Sequence, residues 1–218
     1  MNSVNVIGRG RVGSAVAARL EERGVELRAE DAELVLLCVP DRAIPAVADE
    51  IAPGPWVAHV SGATPLAALE PHSKRFSVHP LQTFTLARGP EQLDGAWAAV
   101  TAQNIEARSI GWELADILGL RPFDLDDGAR TLYHAGCAFA STYLVTLYRI
   151  ASRLFEGAGA PPEALVPLMA RTIENGFQQT GPIVRGDWAV IDAHVSALHD
   201  AHPELEGLYR ILAEATTP

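Results

Sequence analysis

Two cysteines in 218 residues are too few for a disulfide framework. Cys38 falls in an apolar strand-like run and Cys137 in an apolar helix-like one, so both read as buried thiols of a reducing compartment. Positive charge is also scarce. Seventeen Lys and Arg stand against 27 Asp and Glu, a net charge of −10, which argues against nucleic acid or an anionic membrane surface as partner but leaves room for a local basic spot on a phosphate. No apolar run is long enough to span a bilayer and nothing ahead of the first strand reads as a signal peptide, so the expectation is a soluble cytoplasmic protein. Internal repeats and low-complexity tracts are missing, and no metal site is expected. At 48% hydrophobic, the chain has the material for a sizeable core in one large or two small domains.

The most informative stretch is Val4–Leu20. A short apolar run, Val4 to Ile7, reads as a buried parallel strand. Gly8-Arg9-Gly10-Arg11-Val12-Gly13 follows, a GxGxxG, and then an Ala- and Val-rich helix closed by Gly24. The spacing gives the glycines distinct roles. Gly8 allows the tight turn, Gly10 the close approach of backbone to a pyrophosphate, and Gly13 the packing of helix on strand. The helix start offers unpaired N–H groups and partial positive charge to an anion. The motif means little by itself, but here it lies between a strand and a helix, the context it requires.

Further strands are expected at Val25–Arg28, Leu34–Pro40, Trp56–Ser61, Arg75–His79, Ala96–Thr101 and Arg121–Leu125. Helices are expected at Asp41–Glu50, from Pro65 with Thr64 as cap, and near Ile105–Leu118. Thr83–Leu93 reads as a loop. Alternating strands and helices predict an α/β domain over residues 1–126, a Rossmann-like doubly wound parallel sheet. One departure stands out: only Ala29–Glu33 separate the second and third strands, where a full dinucleotide-binding half carries a helix. From residue 127 strand signals vanish, and an all-helical domain is expected to 218. Its helices are read as Ala129–Gly157, Pro162–Gln179, Trp188–Leu198 with Asp187 as cap, and Pro203 to about Ala215.

Ligands of open α/β sheets bind beyond the carboxyl ends of the strands. There the sequence places Val39-Pro40-Asp41, Ser61-Gly62 and His79-Pro80-Leu81-Gln82, beside the glycine bend. His79 is the sharpest candidate, because imidazole titrates near neutral pH and can carry the proton that accompanies hydride transfer. Ser61 can bond the nicotinamide amide or a substrate hydroxyl, and Gln82 a substrate carboxylate. His59, inside its strand, reads as structural. On the long helix, His134, Ala138, Ser141 and Thr142 share a face, with Tyr133 adjacent. Arg185 is a further candidate for a carboxylate, with an ordinary surface ion pair the stronger reading.

Cofactor choice turns on the end of the second strand, where an acidic residue favours NAD and arginine accommodates a 2′-phosphate. Arg28 stands near that place among Glu26, Glu30 and Asp31, and Arg9 and Arg11 add positive charge, so NADP is favoured over NAD. The cofactor set is then Gly8 to Gly13, Arg28, Val39, Pro40, Ser61 and Gly62.

LVLLCVPD at Leu34–Asp41, HVSGA at His59–Ala63, HPLQTF at His79–Phe84, YHAGCAFASTYLVTL at Tyr133–Leu147 and TGPIVRGD at Thr180–Asp187 together resemble a bacterial family. Its members join a Rossmann-like NAD(P)-binding domain to a C-terminal helical domain of unknown function, and the likeness covers nearly the whole chain. That family is similar to the group of 6-phosphogluconate dehydrogenase, prephenate dehydrogenase, pyrroline-5-carboxylate reductase and deazaflavin-dependent NADP reductase. The resemblance implies a homodimer through the helical domain, which also closes the active-site cleft. A similar His-Pro pair in prephenate dehydrogenases implies that His79 contacts a substrate hydroxyl, assisted by Ser61. Thr142 departs from the family's Ala-Ser-Asn-Tyr, so the amide chemistry of that asparagine is lost here. The expected function is an NAD(P)-dependent oxidoreductase acting on a small polar substrate, with His79, Ser61, His134 and Ser141 around the reacting centre. The alternatives are a non-catalytic dinucleotide sensor, motivated by the short loop after the second strand, and a deazaflavin-linked reductase.

Overall fold

The computed structural model describes residues 1–217. The first apolar run forms β1 (Ser3–Ile7), and α1 (Arg11–Glu22) follows across the glycine bend. α1 ends as its sequence indicates. Gly24, at φ +76°, lets its own amide and that of Val25 donate to the carbonyls of Glu21 and Leu20 at 3.0 and 2.9 Å, a Schellman closure. β2 (Glu26–Leu27), β3 (Leu34–Leu37), β4 (Trp56–His59), β5 (Arg75–Pro80), β6 (Trp97–Ala102) and β7 (Arg121–Asp124) complete the sheet, in the order β2-β1-β3-β4-β5-β6-β7.

Successive side chains of a strand point to opposite faces. Val4, Val6, Leu34, Leu36, Phe76 and Val78 go to the face covered by α1 and α3 (Ile105–Ile117) and build the larger core. Val35, Leu37 and Val57 go to the other face and pack with Ile44 and Ala48 of α2 (Ile44–Asp49). Burying each large aliphatic side chain contributes about 2 kcal/mol, so the sheet is anchored from both sides. α3 starts at Asn104, whose Oδ1 accepts the Ala107 N–H at 2.8 Å. Asn104→Ala removes that acceptor and is expected to lower unfolding free energy by about 1 kcal/mol, read from urea denaturation midpoints.

The sheet is not wholly parallel. β1 to β5 run one way; β6 is antiparallel to β5, and β7 is parallel to β6. The cause is the connection. Between Pro80 and Trp97 there is a loop with one short turn, Pro90–Leu93, and no crossover helix, so the chain returns beside β5 in the opposite sense. Ser77 thereby faces Thr101, and His79 faces Ala99. The buried Gln92 side chain holds the connection together. Its Oε1 accepts the Thr85 N–H at 2.8 Å, and its Nε2 donates to the carbonyls of Arg88 and Gly89 at 2.9 Å and of Thr85 at 3.2 Å.

The chain between β2 and β3 carries no helix, as its length requires. The face of β1 that carries Asn5 and Ile7 borders a groove of about 1050 Å³, also lined by Asp31, Val35, Ile51 and Trp56.

Helix boundaries shift in several places, and the expected Asp41–Glu50 helix opens as a 3-10 turn, Asp41–Ala43, before α2. Pro65 leads only into a short 3-10 turn, Leu66–Leu69; Thr64 does not cap it, and the Leu66 N–H instead donates to the Asp127 carboxylate at 3.1 and 3.2 Å. The expected long helix is two, α4 (Arg130–Ala140) and α5 (Thr142–Gly157), with Ser141 at φ −125° between them. The Ser141 hydroxyl donates back to the Cys137 carbonyl at 2.7 Å, a bond that competes with the helix ladder and bends it. After a 3-10 turn at Pro162–Ala164, α6 (Leu165–Glu174) stops at Gly176, φ +68°, before Gln179. α7 (Pro182–Arg185), α8 (Trp188–Ala201) and α9 (Pro203–Thr216) follow.

The chain divides into two compact units, Met1–Thr146 and from Leu147 onward. In the second, Leu165, Ile191, Val195, Leu198 and Leu205 are buried, while Val166, Leu168, Ile173, Phe177, Trp188 and Ile211 remain exposed. Among the described residues no helix is long and apolar enough to cross a membrane. Cys38 and Cys137 are half-buried free thiols rather than fully buried ones.

Candidate active site

β1 is flanked by β2 on one side and β3 on the other, so the chain changes direction of travel across the sheet between β1 and β3. A crevice forms beyond the carboxyl ends of strands at such a point. The glycine bend lies there, and its three glycines are not equivalent. Gly8 sits at φ +100°, and a Cβ on it would lie 2.5 Å from the Cys38 carbonyl oxygen. A Cβ on Gly13 would lie 1.9 Å from the Gly8 carbonyl oxygen. Both are required by the chain's own packing. Gly10 is different: its φ is an ordinary −74°, and a Cβ there would meet nothing within 4 Å. Its lack of a side chain leaves space outside the fold, in front of the first turn of α1. No side chain caps that turn, so the N–H groups of Arg11, Val12 and Gly13 are free for an anion. The Ser14 hydroxyl secures the bend by donating to the Arg9 carbonyl at 2.9 Å. Arg9 and Arg11 are exposed beside it, as is Pro40, and Val39 is half-buried, its Cγ1 3.2 Å from where a Gly8 Cβ would be. Burial pushes the Cys38 thiol up to about 12 despite the nearby Arg9, so it stays protonated and is no nucleophile.

Arg28 ends up at the second strand as expected, its N–H donating to the Val4 carbonyl at 3.1 Å, but its guanidinium pairs with Glu26 at 2.7 Å. Both side chains are exposed, so a phosphate there would compete with a weak surface pair.

A second cluster is built on β4, β5, β6 and α4. His79, near the end of β5, shares a sheet face with Ser77 because they stand two positions apart on the strand. Its Nδ1 is 2.7 Å from the Tyr133 hydroxyl on α4, and its ring centroid is 6.1 Å from that of His134. Gly62 fits between the two imidazoles: a Cβ there would come within 2.8 Å of both. The His79 pKa differs from the sequence expectation. Burial above all, then the His134 and Arg130 charges, pull it down to about 4, with Asp41 opposing. The ring is therefore neutral through the physiological range and does not titrate near neutrality. Burial pushes the Tyr133 phenol up, so it stays protonated and can donate to His79 Nδ1, which leaves Nε2 as the ring's own donor. A neutral imidazole of this kind polarises an oxygen rather than abstracting a proton.

Ser61 is next to this pair, but its hydroxyl is engaged. It accepts the N–H groups of Ala63 and Thr64 at 3.2 and 3.0 Å and donates to the Thr64 hydroxyl at 2.9 Å. The residue shapes a turn, and no free hydroxyl is left for a ligand. The Ser141 hydroxyl donates to the Cys137 carbonyl, which leaves it only lone pairs to offer a ligand, and Gln82 is partly engaged in its own loop, donating to the Gln92 carbonyl at 3.0 Å and accepting from the Thr83 amide at 2.8 Å. Asp187 precedes α8 without capping it; its carboxylate pairs with Arg185 at 3.0 Å. His59 is fully buried and structural, its Nδ1 3.2 Å from the Ser61 amide.

Arg130 is the functional candidate that sequence reasoning missed. It is 1% exposed in the first turn of α4. One terminal nitrogen donates to Ser77 at 2.7 Å and Thr101 at 2.8 Å, the facing pair of the antiparallel strands; the other donates to the Ser61 carbonyl. Its Nε has no hydrogen-bond partner, and the Asp127 carboxylate is 3.9 Å away. A signal existed: Arg130 lies one turn before His134 on the same helix face. Arginine is so rarely buried that an isolated one reads as surface.

Comparison with known proteins is consistent with this geometry. The model of a domain of unknown function, DUF2520, matches residues 96–216. Among solved structures, a candidate NADP oxidoreductase from Bacteroides fragilis superposes with a TM-score of 0.80 at 21% identity, covering 98% of this chain and 97% of that one. A protein from Thermotoga maritima gives 0.74 at 22%, covering 97% and 98%. Prephenate dehydrogenase from A. aeolicus, in complex with hydroxyphenyl propionate and NAD+, gives 0.58 at 16%, covering 99% and 96%. At these identities the likeness establishes a Rossmann-like fold with a helical C-terminal region. No curated protein matches the sequence.

Proposed function

The chain belongs to the DUF2520 family, and from the likeness of its fold to that of an NADP oxidoreductase and of a prephenate dehydrogenase, together with the open glycine bend, we propose that it is an NAD(P)-dependent oxidoreductase acting on a small polar substrate. The observation that carries this reading is Gly10, whose missing side chain serves nothing within the fold and leaves free amides facing open space. The residues fit a dinucleotide: the N–H groups of Arg11, Val12 and Gly13 would hold the pyrophosphate, with Val39 and Pro40 alongside. When bound, the nicotinamide supplies or accepts the hydride. His79 donates from Nε2 to the substrate oxygen on which negative charge develops, with Tyr133 fixing the ring's tautomer. His134, exposed opposite Gly62, orients the substrate. Ser61 positions the turn that carries Gly62.

NADP is the preferred cofactor in this reading, because Arg28 with Arg9 and Arg11 favours a 2′-phosphate. Exposed apolar residues of the helical unit, Phe177 and Ile211 among them, support a homodimer through that unit. The short link from β2 to β3 favours a second reading, a sensor that binds dinucleotide without turnover.

Thermal melting with NAD, NADP and their reduced forms tests the proposal. Saturating dinucleotide at 100 times its Kd is expected to stabilise the protein by about 2.7 kcal/mol. Arg28→Ala is expected to weaken NADP and leave NAD unchanged. No stabilisation by any of the four forms sinks the proposal. His79→Gln separates enzyme from sensor: an enzyme keeps the cofactor-induced shift and loses turnover on alcohols, imines or keto acids, whereas a sensor shows no turnover to lose.

A further inference from the structure

We propose that Arg130 is a positioning residue for the His79–His134 pair, and that its buried charge makes the space beside these imidazoles select a carboxylate over a neutral group. The inference rests on the reading of that space as the substrate site.

The geometry has two parts. The first is mechanical. Arg130 ties α4 to β5 through Ser77, to β6 through Thr101 and to the turn after β4 through the Ser61 carbonyl. Gly62 follows Ser61 directly and is packed against both imidazoles. The guanidinium therefore fixes the turn that sets the spacing of the two rings.

The second part is electrostatic. All three groups that accept from Arg130 are neutral. Its Nε is buried and unpartnered. The nearest carboxylate, Asp127, is 3.9 Å away, 37% exposed, and already accepts the Leu66 amide. Asp41 also acts on it, but is exposed at the end of β3. Water screens both acids, and burial outweighs them, holding the guanidinium below its ordinary pKa. The other ionisable groups on which this charge acts, His59, His79 and Tyr133, are not anions at neutral pH, the phenol being held protonated. A buried cation without a full counter-charge creates a positive potential that an incoming anion can neutralise. One partly compensated charge matches one negative charge, which favours a carboxylate over a phosphate dianion.

The test follows the His79 and His134 ring signals by NMR in the full chain with isotope-labelled histidine, the two signals assigned with His79→Gln and His134→Gln. The probes are sodium acetate and its neutral isostere acetamide, at constant ionic strength. Acetate is expected to shift both rings saturably, and acetamide to bind at least about tenfold more weakly. Arg130→Lys should retain the preference and Arg130→Gln lose it. In Arg130→Gln, with folding checked by circular dichroism, the His79 ring should titrate at higher pH than in the parent, and in Arg130→Lys, which keeps the charge, close to the parent value. Equal response to acetate and acetamide in the parent overturns the inference, as does an unchanged preference in Arg130→Gln. If Arg130→Gln does not fold, the parent comparison and Arg130→Lys decide. Failure here with dinucleotide stabilisation intact removes only the carboxylate selectivity; failure of dinucleotide stabilisation removes the oxidoreductase reading and leaves the anion result to be judged alone.

Discussion

Gly10→Ala is expected to melt at the parent's temperature or slightly above it, and to show little of the parent's stabilisation by dinucleotide. Gly13→Ala is expected to lose stability outright. The contrast follows from what each new Cβ meets. At Gly10 there is nothing within 4 Å and φ is −74°, so alanine fits and restricts only the unfolded chain, a gain of about 0.5 kcal/mol. The same Cβ would occupy the space through which, in the proposed function, a pyrophosphate reaches the amides of α1. A loss of affinity on the order of 100-fold lowers the stabilisation at that ligand concentration from about 2.7 to about 0.4 kcal/mol. At Gly13 the Cβ would sit 1.9 Å from a backbone oxygen that cannot rotate away. Backbone must move, at a cost of about 3 kcal/mol or more. For a chain of this size that is a drop of roughly 6–12 °C in melting temperature. A normal dinucleotide shift in Gly10→Ala would show that the bend is not the phosphate site.

Acidification is expected to destabilise the protein well before its carboxylates titrate. His59 and His79 have folded pKa values of about 3 and about 4 against an ordinary 6.5, burial being the main cause for both. Between those limits the unfolded chain binds protons that the folded chain excludes, so stability rises with pH. The contribution is complete above the ordinary histidine value and is lost as pH falls below it. Together the two rings are expected to cost about 3 to 4 kcal/mol between roughly pH 7 and pH 5. Urea denaturation at both values measures this. His59→Gln should flatten the dependence by about half, whatever it does to stability at neutral pH. Equal midpoints at the two values would mean that these rings titrate in the folded protein as they do in the unfolded chain.

Sequence showed what is local. The glycine bend, the Gly24 closure of α1 and the placement of His79 at a strand end each depend on a few neighbouring residues, and each is where its motif puts it. The reversal of β6 was within reach, since a loop without a helix between His79 and Ala96 cannot carry a parallel crossover. The rest depends on long-range partners. Whether the hydroxyls of Ser61 and Ser141 are free is decided by backbone groups that only the fold brings to them. Arg130 is buried because Ser77 and Thr101, 24 residues apart, face each other across two strands. The His79 pKa depends on that same burial, so an ordinary value was the only one readable beforehand.

The reversal of β6 has one more effect. Because Pro80 pairs with Ala98, the segment joining the two strands leaves and re-enters the sheet at a single rim, the one that carries His79. Four of its main-chain polar groups are satisfied by the amide of Gln92 alone. A strap braced in this way behaves as a preformed lip, not as a flap.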